Sequence, residues 1–511
     1  MSTKKLNPVR NSKKQYLKNS KREEISNGVK IHFIGIGGIG VSALAKYYLE
    51  KGHKVSGSDL VASEITDALK KLGAKIFIGK HKAKNLPKDV DLVIYSPAIR
   101  PDNPELKSAN QHPVLLNQHR VLSYPQALGE LSKKYFTIAV SGTHGKSTTT
   151  AMLGILLTRS GFDPTVIVGT KVKEFGNSNC RVGKSKYLVI EADEHFASFL
   201  NYWPKIIVLT NIEKDHLDYY KNLNNILKTF KEYVSHLPKN GVLIVNKDDK
   251  NSQKLICRGR TSTNGGSTSL YSLKQRGDVK KLKKILKVPG EHNVANALAA
   301  LTVARVLKIP DKISFKALSE YKGSWRRFQI TRPGLVMRPG LVKHPIVISD
   351  YAHHPTEIKA TLKAAREKYP KKKIWCVYQP HQYQRTYYLF KDFVKVFREA
   401  LRQGSGQALR QGSGQALRRG LRLSGSAECL QGKPLVDKLI ITDIYDVAGR
   451  EQREVKKRVN AEKLVAAVVK ENIIYLPKAK ILDYLKKNVA EFNVLIIMGA
   501  GDIYQIISNF Q

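Results

Sequence analysis

One glycine turn in the sequence has the residue types and the spacing of a phosphate-binding loop. It follows the strand-like run Phe136–Ser141 and precedes a helix that we predict from Ser147. Backbone N–H groups of such a turn can hold phosphates, the Lys146 ammonium can neutralise β- and γ-phosphate oxygens, and the Ser147 hydroxyl can bind Mg²⁺. Two residues separate Gly142 from the Gly-Lys pair, where the common phosphate loop has four. We therefore predict an ATP site of a particular ATPase class, formed by Gly142, Thr143, His144, Gly145, Lys146 and Ser147.

Acidic side chains and a histidine follow the next two strand-like runs. Glu191 comes directly after the run Tyr187–Ile190, and His216 lies in the polar segment 210–218 that follows the run Ile206–Leu209. Open α/β sheets bind ligands at the carboxyl ends of their strands, and Mg²⁺ beside nucleotide phosphates prefers oxygen ligands. We therefore predict a Mg²⁺ site formed by Ser147, Glu191 and His216.

A second glycine-rich turn lies near the start of the chain. It follows the strand-like run Ile31–Ile34, opens a helix and contains Gly35, Gly37, Gly38 and Gly40. In this context backbone amides can approach a pyrophosphate at a helix N-terminus. Asp59 ends the next strand, where an acidic side chain often meets a ribose. Considered alone, the segment also fits a nicotinamide- or flavin-dependent dehydrogenase, or close strand-to-helix packing without a ligand.

Further polar motifs lie in the second half of the chain. Asn293 and Asn296 can hydrogen-bond the edge of an adenine, and the guanidinium groups of Arg327 and Arg385 can clamp phosphate or carboxylate. The adjacent pair His353-His354 has no nearby cysteine or third histidine, so it is weak support for a zinc site. Taken singly, each motif also fits a surface or core role.

The elements that must position these residues alternate between strand-like and helical patterns. Apolar runs such as Lys54–Ser58 and Leu92–Ser96 alternate with amphipathic stretches such as Val41–Lys51 and Ile65–Leu72. The pattern restarts at residue 136 and again near residue 345, and a length of 511 residues allows about three domains. This alternation predicts stacked βαβ units, and therefore an α/β fold with parallel sheets.

Some segments are predicted to lie outside the packed domains. Residues 1–28 are basic and polar with too few apolar groups to bury, which predicts a disordered tail. The octapeptide at 402–409 recurs at 410–417, and its Gly, Ser and Gln content predicts a flexible surface loop. A shorter duplication, at 332–336 and 338–342, predicts an extended hairpin or loop.

The composition is that of a globular protein with an excess of positive charge. No apolar run approaches the roughly 20 residues of a membrane span, and the N-terminus lacks a signal-peptide pattern, so we predict a cytoplasmic protein without a membrane partner. The net charge of +46 attracts phosphorylated substrates, but it also fits a nucleic-acid-binding module. Because the lysines are spread through every segment without a recognition motif, we expect no specific nucleic-acid partner. The four cysteines lie far apart, as is typical of reduced thiols.

Taken in order, these motifs resemble those of the Mur ligases, from about Val29 to the C-terminus apart from the duplicated segments. The resemblance rests on the co-occurrence, in family order, of GIGGIG, SGTHGKSTTT, EADE, TNIEKDHLD, EHNVANALAA, RRFQ, DYAHHPTE, QPHQYQRT and GAGD. It implies an N-terminal Rossmann-like domain for a UDP-sugar, a central ATPase domain with a parallel sheet, and a C-terminal Rossmann-like domain that closes for amino-acid binding. The boundaries we predict are 29–133, 134–322 and 323–511, with a repeat insertion at about 402–434.

The resemblance also implies a role for each motif. The catalytic candidates are Lys146 and His353. The remaining assignments are Lys146 and Ser147 for ATP phosphates and metal; Glu191 and His216 for metal ions; Asn293 and Asn296 for adenine; Arg327 and Asp350 for the nucleotide; His353 and Arg385 for alanine; and Gly35, Gly37, Gly38, Gly40 and Asp59 for the UDP-sugar.

Within the family, the motifs are most similar to those of ligases that join L-alanine to the carboxylate of UDP-N-acetylmuramate. The resemblance therefore implies ATP and Mg²⁺ as cofactors and an acyl-phosphate intermediate. We also expect a monomer or homodimer. A ligase that adds a preformed murein tripeptide shares the fold and motifs and stays open as an alternative. The chain departs from the usual family pattern at Glu194–Phe196, Ser349 and Gln382, which bears on substrate contacts.

Overall fold

The computed structural model describes residues 28–113, 115, 120–257, 260–261, 266–331, 345–402, 433–447 and 453–510. The chain divides into two compact units between Tyr124 and Pro125. The sheets of the described chain are built mainly from parallel strands, which confirms the predicted α/β fold. The predicted tail lies outside the described residues except for Gly28, as do the duplication at 332–342 and nearly all of the repeat insertion. The domain boundaries stay predictions.

The first unit contains a five-stranded parallel sheet in the order β3-β2-β1-β4-β5. Its strands are β1 (Lys30–Ile34), β2 (Lys54–Asp59), β3 (Lys75–Ile78), β4 (Leu92–Tyr95) and β5 (Val121–Ser123). Its helices span Ile39–Glu50, Glu64–Lys71 and Pro104–Gln111. The second of these begins where the Ser63 side chain accepts a hydrogen bond from the Thr66 N–H, and the third where Asn103 does the same for Glu105 and Leu106. These capping side chains accept hydrogen bonds from backbone N–H groups of the first helical turn, which have no acceptor within the helix.

A buried carboxylate joins helix Pro104–Gln111 to the central strands of this sheet. Glu105 has no exposed surface, and its Oε2 accepts from Ser58 Oγ at 2.6 Å and lies 3.2 Å from His32 Nε2. Its Oε1 lies 3.2 Å from His81 Nδ1 and accepts from Asn85 Nδ2 at 2.6 Å. Although burial favours the neutral acid, these partners hold the pKa of Glu105 well below its usual value.

Glu105→Ala is expected to lower the free energy of unfolding by about 3–5 kcal/mol, because it leaves buried histidines without their carboxylate. The pKa of Glu105 is lowered by folding, so its contribution is complete at neutral pH and is lost as the pH falls below the ordinary value of 4.5. Urea denaturation at pH 7 and pH 4 measures both effects. Asp102→Ala, which removes an exposed partner of Arg100, should change little; a similar result for Glu105→Ala would contradict the network.

The second unit begins with a nine-stranded sheet in the order β12-β13-β14-β11-β10-β6-β9-β7-β8. Its inner strands are parallel, whereas β8, β12 and β13 pair antiparallel at the edges. The strands are β6 (Phe136–Ser141), β7 (Thr165–Val172), β8 (Ser178–Arg181), β9 (Tyr187–Glu191), β10 (Ile206–Leu209), β11 (Val242–Asn246), β12 (Ile256–Cys257), β13 (Arg260–Thr261) and β14 (Ser267–Tyr271). The helices of this part span Tyr124–Lys134, Lys146–Arg159, Leu217–Tyr220, Leu223–Val234, Lys250–Gln253, Arg276–Ile285, Glu291–Val306 and Asp311–Glu320.

The same unit ends with a six-stranded sheet in the order β15-β16-β20-β17-β18-β19, parallel except for β15. Its strands are β15 (Gln329–Thr331), β16 (Ile346–Asp350), β17 (Ile374–Tyr378), β18 (Lys438–Ile441), β19 (Ile473–Tyr475) and β20 (Val494–Met498). Its helices span Pro355–Lys368, Tyr383–Tyr388, Phe390–Ala400, Arg453–Arg458, Ala461–Val468, Lys478–Lys487 and Ile506–Asn509.

Apolar residues on both faces of the central strands form the cores of this unit. β10 is buried along its whole length, as a parallel strand covered by helices on both faces must be. Helix Lys146–Arg159 is buried from Ser147 to Leu157 and packs against helix Glu291–Val306. The strands β10, β6 and β9 are neighbours, so the segments after them meet at one edge of the sheet. No helix among the described residues is long and apolar enough to cross a membrane.

Candidate active site

The predicted phosphate loop connects β6 to helix Lys146–Arg159. Gly142 and Gly145 have φ angles of 132° and 83°, which residues with a side chain rarely adopt. A Cβ on Gly142 would overlap Thr210 Oγ1, and a Cβ on Gly145 would overlap Asn296 Oδ1. Because the helix is buried, the loop has little room to shift. Both glycines are therefore required by the backbone path.

Side chains that follow β10 hold this loop in one conformation. The His144 N–H donates to Asn211 Oδ1 at 2.9 Å, and the His144 carbonyl accepts from Thr210 Oγ1 at 2.6 Å and Asn211 Nδ2 at 3.1 Å. The Thr143 N–H donates to the Asn211 carbonyl at 2.9 Å. The N–H groups of the first helical turn have no intrahelical acceptor, so the loop and helix start together suit an anion.

Gly142→Ala is expected to weaken ATP binding by about 100-fold or more, because the loop must move to avoid Thr210 and Asn211. Gly161→Ala is the matched control: its φ is also positive, at 80°, but a Cβ there would meet no atom within 4 Å. That variant should bind ATP like the wild type. Isothermal titration with ATP compares the two, and equal affinities would argue against this loop as the nucleotide site.

The Lys146 ammonium lies against the carbonyl groups of the predicted phosphate loop. Its Nζ donates to the Gly142 carbonyl and to Glu194 Oε2, each at 2.7 Å, and lies 3.8 Å from Asp193 Oδ1. Burial disfavours its charge, but the two carboxylates raise the pKa of Lys146 above its ordinary value. Lys146 is therefore a partly buried cation at neutral pH.

Two of the three predicted metal ligands lie side by side. Ser147 Oγ donates to Glu191 Oε1 at 2.9 Å, and Glu191 Oε2 accepts from the Gly169 N–H at 2.7 Å. The guanidinium of Arg327 lies 3.5 Å from the same Ser147 oxygen. A hydroxyl and a carboxylate at the end of β9 therefore meet at the start of helix Lys146–Arg159.

The third predicted ligand, His216, clusters with acidic residues to which the sequence assigned no role. Ligand atoms of Asp193, Glu194 and His216 all lie within 4.8 Å of one another. Among the described residues, His216 Nδ1 and Glu194 Oε1 are buried without a hydrogen-bond partner. Burial lowers the pKa of His216 to about 3, so its imidazole is neutral and can ligate a cation. The EADE motif contained the signal for Asp193 and Glu194, but only the fold brings them to His216.

A cavity of about 250 Å³ lies between the nine-stranded and six-stranded sheets. Six residues that the sequence assigned to ATP line it: His144, Gly145, Asn293, Asn296, Arg327 and Asp350. His292, which the sequence did not assign, also lines it. The structure thus brings together residues from the predicted phosphate loop, helix Glu291–Val306 and the region of the six-stranded sheet around one cavity.

Asp350 orients the turn that carries Arg327. Its carboxylate accepts from the Phe328 N–H at 2.7 Å and from the Ala352 N–H at 2.8 Å. The guanidinium of Arg327 lies 5.0 Å from the centre of the Tyr351 ring. The predicted nucleotide contacts of these two residues stay predictions.

A histidine between two carboxylates links the phosphate loop to the six-stranded sheet. His144 Nδ1 lies 3.1 Å from Glu357 Oε1, and His144 Nε2 lies 3.5 Å from Glu213 Oε2. Against the effect of burial, the two carboxylates raise the pKa of His144 to about 9. Sequence reasoning gave Glu213 and Glu357 no role, although each lies within a quoted motif.

The two residues assigned to alanine, His353 and Arg385, are both neighbours of His381, which lies between them. The His353 Nδ1 lies 3.0 Å from the Tyr351 carbonyl, so it carries the proton and leaves Nε2 as an acceptor. Burial lowers the pKa of His353 to about 4, which keeps the ring neutral. The His353 ring lies 5.8 Å from that of His381, whose Nδ1 lies 3.2 Å from Arg385 Nη1.

In the first unit, the N-terminal glycine turn is closed by Asp59, the side chain for which the sequence predicted a ribose contact. The Gly37 N–H donates to Asp59 Oδ2 at 2.8 Å, and the Gly35 N–H donates to the Ser58 carbonyl at 2.8 Å. A Cβ on Gly37 would lie 2.9 Å from Asp59, and one on Gly40 would lie 2.9 Å from the Tyr124 ring. Asp59 therefore shapes the turn, and the UDP-sugar contacts of these residues and Gly38 stay predictions.

Three family models match the chain. They are described as the Mur ligase family catalytic domain (residues 30–136), the Mur ligase middle domain (140–304) and the Mur ligase glutamate ligase domain (327–403). The UDP-N-acetylmuramate–L-alanine ligase of Acetivibrio thermocellus is 38% identical over 93% of this chain and 94% of its own length. The enzyme of that name from Aquifex aeolicus is 36% identical over 93% and 95%. The crystal structure of the Thermotoga maritima UDP-N-acetylmuramate–alanine ligase has a TM-score of 0.66 and 28% identity, covering 94% of this chain and 98% of that one.

Proposed function

Because the chain belongs to the Mur ligase family, we propose that it joins L-alanine to the carboxylate of UDP-N-acetylmuramate at the expense of ATP, in peptidoglycan precursor synthesis. The observation that carries the proposal is one cavity lined by the phosphate loop, the asparagine pair and Arg327. Relatives that cover almost the whole chain have this activity in their names.

In the first step, an oxygen of the substrate carboxylate attacks the γ-phosphorus of ATP, and the bond to ADP breaks to give an acyl phosphate. Two anions must approach each other in this step. Lys146 is a partly buried cation beside the loop, so it reduces that repulsion and stabilises charge on the transferred phosphoryl oxygens. The N–H groups of the first turn of helix Lys146–Arg159, which have no intrahelical acceptor, supply further donors without reorganisation.

In the second step, the amine of L-alanine attacks the acyl carbonyl, phosphate leaves with the electrons of the broken bond, and the amine loses a proton. His353 is the candidate base or carboxylate anchor, and its geometry suits a base because Nε2 is the acceptor nitrogen. Arg385 is the candidate anchor for the amino-acid carboxylate.

Mg²⁺ would be held by Ser147, Glu191 and His216. The donors suit it in part: a hydroxyl and a carboxylate oxygen are adjacent, and His216 Nδ1 is buried without a partner among the described residues. When bound, the ion supplies positive charge to the nucleotide phosphates. Asp193 and Glu194 add carboxylates beside His216.

We assign the UDP-sugar to the first unit, where the turn containing Gly35, Gly37, Gly38 and Gly40 would hold the pyrophosphate. Asp59 would contribute by keeping this turn closed. We place the reaction in the cytoplasm, and we expect a monomer or homodimer.

ADP release with UDP-N-acetylmuramate and a panel of amino acids tests the proposal. We expect release with L-alanine to exceed that with glycine, L-serine or a murein tripeptide. Preference for the tripeptide would identify the alternative ligase of the same fold. Absence of ADP release with every acceptor would overturn the proposal.

A further inference from the structure

Arg385 and Asp215 form a buried ion pair between the two sheets of the second unit. Arg385 Nε donates to Asp215 Oδ1 at 3.0 Å, and Arg385 Nη2 donates to Asp215 Oδ2 at 3.3 Å. Their side chains are 5% and 8% exposed. Asp215 lies in the segment after β10, whereas Arg385 lies in helix Tyr383–Tyr388 after β17. A two-point contact of this kind fixes the plane of the guanidinium as well as its position.

The remaining nitrogen of the guanidinium has only neutral partners. Nη1 lies 3.2 Å from His381 Nδ1 and donates to Gln382 Oε1 at 3.3 Å. A substrate carboxylate is a stronger acceptor than either group, so it can replace one of them. Because Asp215 occupies Nε and Nη2 of the Arg385 guanidinium, Nη1 is the nitrogen to which the carboxylate of an amino acid would bind.

The neighbours of Asp215 in the chain also contact the six-stranded part of the unit. The Lys214 carbonyl lies 3.1 Å from His354 Nε2, and Glu213 Oε2 accepts from Thr356 Oγ1 at 2.6 Å. The next residue, His216, belongs to the cluster with Asp193 and Glu194. One short segment thus joins the candidate metal site to the candidate amino-acid site.

We infer that Asp215 is a positioning residue for amino-acid recognition: its carboxylate orients Arg385 so that Nη1 faces the carboxylate of L-alanine. The inference rests on the proposed function. It implies that removing the charge of Asp215 impairs L-alanine binding while nucleotide binding, which uses other residues, is retained.

Steady-state ADP release by the full-length Asp215→Asn variant tests this inference. We expect the KM for L-alanine to rise about 10- to 100-fold, because this corresponds to the loss of one charge-assisted hydrogen bond. The KM values for ATP and UDP-N-acetylmuramate should stay within about twofold of the wild-type values. Asp278→Asn is the matched control, because Asp278 makes a similar two-point contact with Arg305, at 2.8 and 3.0 Å, on the surface. That variant should keep all three KM values.

A double-mutant cycle separates positioning from a merely structural role. If Asp215 acts through Arg385, Asp215→Asn should add little to the KM for L-alanine already raised by Arg385→Lys. A parallel rise in all three KM values, or additive effects in the cycle, would overturn the inference. If Asp215→Asn does not fold, Asp215→Glu keeps the charge but displaces it by one methylene, and its KM for L-alanine should still rise selectively; an unchanged value would overturn the inference.

The failure of this inference and that of the proposed function give different results. A wild-type protein without L-alanine-dependent ADP release contradicts the proposed function. An active wild type whose KM for L-alanine is unaffected by the Asp215 variants contradicts only the positioning role.

Discussion

Lys146→Met is expected to abolish measurable ADP release while the protein still binds UDP-N-acetylmuramate. Removing one fixed donor to a transition-state oxyanion typically slows an enzyme by about 10²–10³-fold, and Lys146 also brings a full charge. The ammonium lies 2.7 Å from the Gly142 carbonyl, so it is held at the phosphate loop. Methionine keeps most of the apolar length of the side chain, so the loss would report on the charge.

Initial rates of ADP release, together with calorimetric titration of the UDP-sugar, measure both parts of this expectation. Lys231→Met provides the control, because Lys231 is exposed on helix Leu223–Val234, and it should leave the rate unchanged. Full activity of Lys146→Met would contradict the assignment of the loop.

Glu191→Gln is expected to slow ADP release by at least about 100-fold and to raise the Mg²⁺ concentration needed for half-maximal rate. Outer-shell partners of metal ligands are worth about 10- to 100-fold, and a direct carboxylate ligand should matter at least as much. The amide of glutamine can still accept from Ser147 or from the Gly169 N–H, so the variant removes charge with little change in shape.

A Mg²⁺ titration of the steady-state rate measures this effect. Glu232→Gln, at an exposed position, should reproduce the wild-type titration. An unchanged Mg²⁺ dependence of Glu191→Gln would contradict a metal site at Glu191 and would favour one at the cluster of Asp193, Glu194 and His216. The Mg²⁺ titration of Glu194→Gln would then test that second site.

The sheets also explain how a very basic chain can present an acidic site. The net charge is +46, yet Glu191, Asp193, Glu194, Glu213 and Glu357 lie close together, with Lys146, His144 and His216 among their partners. This negative charge stabilises both a bound metal ion and the partly buried ammonium of Lys146. The net charge of the sequence therefore does not describe the charge of the site.

Most of the fold followed from local patterns in the sequence. The predicted runs Phe136–Ser141 and Ile206–Leu209 are strands with those bounds, and the helix predicted from Ser147 begins at Lys146. The alternation of strand-like and helical patterns and the glycine turns depend on only a few neighbouring residues, so they predict strands and helices without knowledge of the rest of the chain. The duplicated segments lie almost wholly outside the described residues, so the predictions for them stay untested.

The sequence by itself determined the family and the α/β class, and it predicted the position of the phosphate loop, because these depend on local spacing and motif order. Only the tertiary structure decided which distant groups meet: Arg385 with Asp215, 170 residues away, and His144 with Glu357, 213 residues away. Such pairs depend on the order β10-β6-β9 in one sheet and on the contact of that sheet's loops with the next. The physical reason is that side chains interact through space, and the strand order that brings them together is set by the packing of the whole unit.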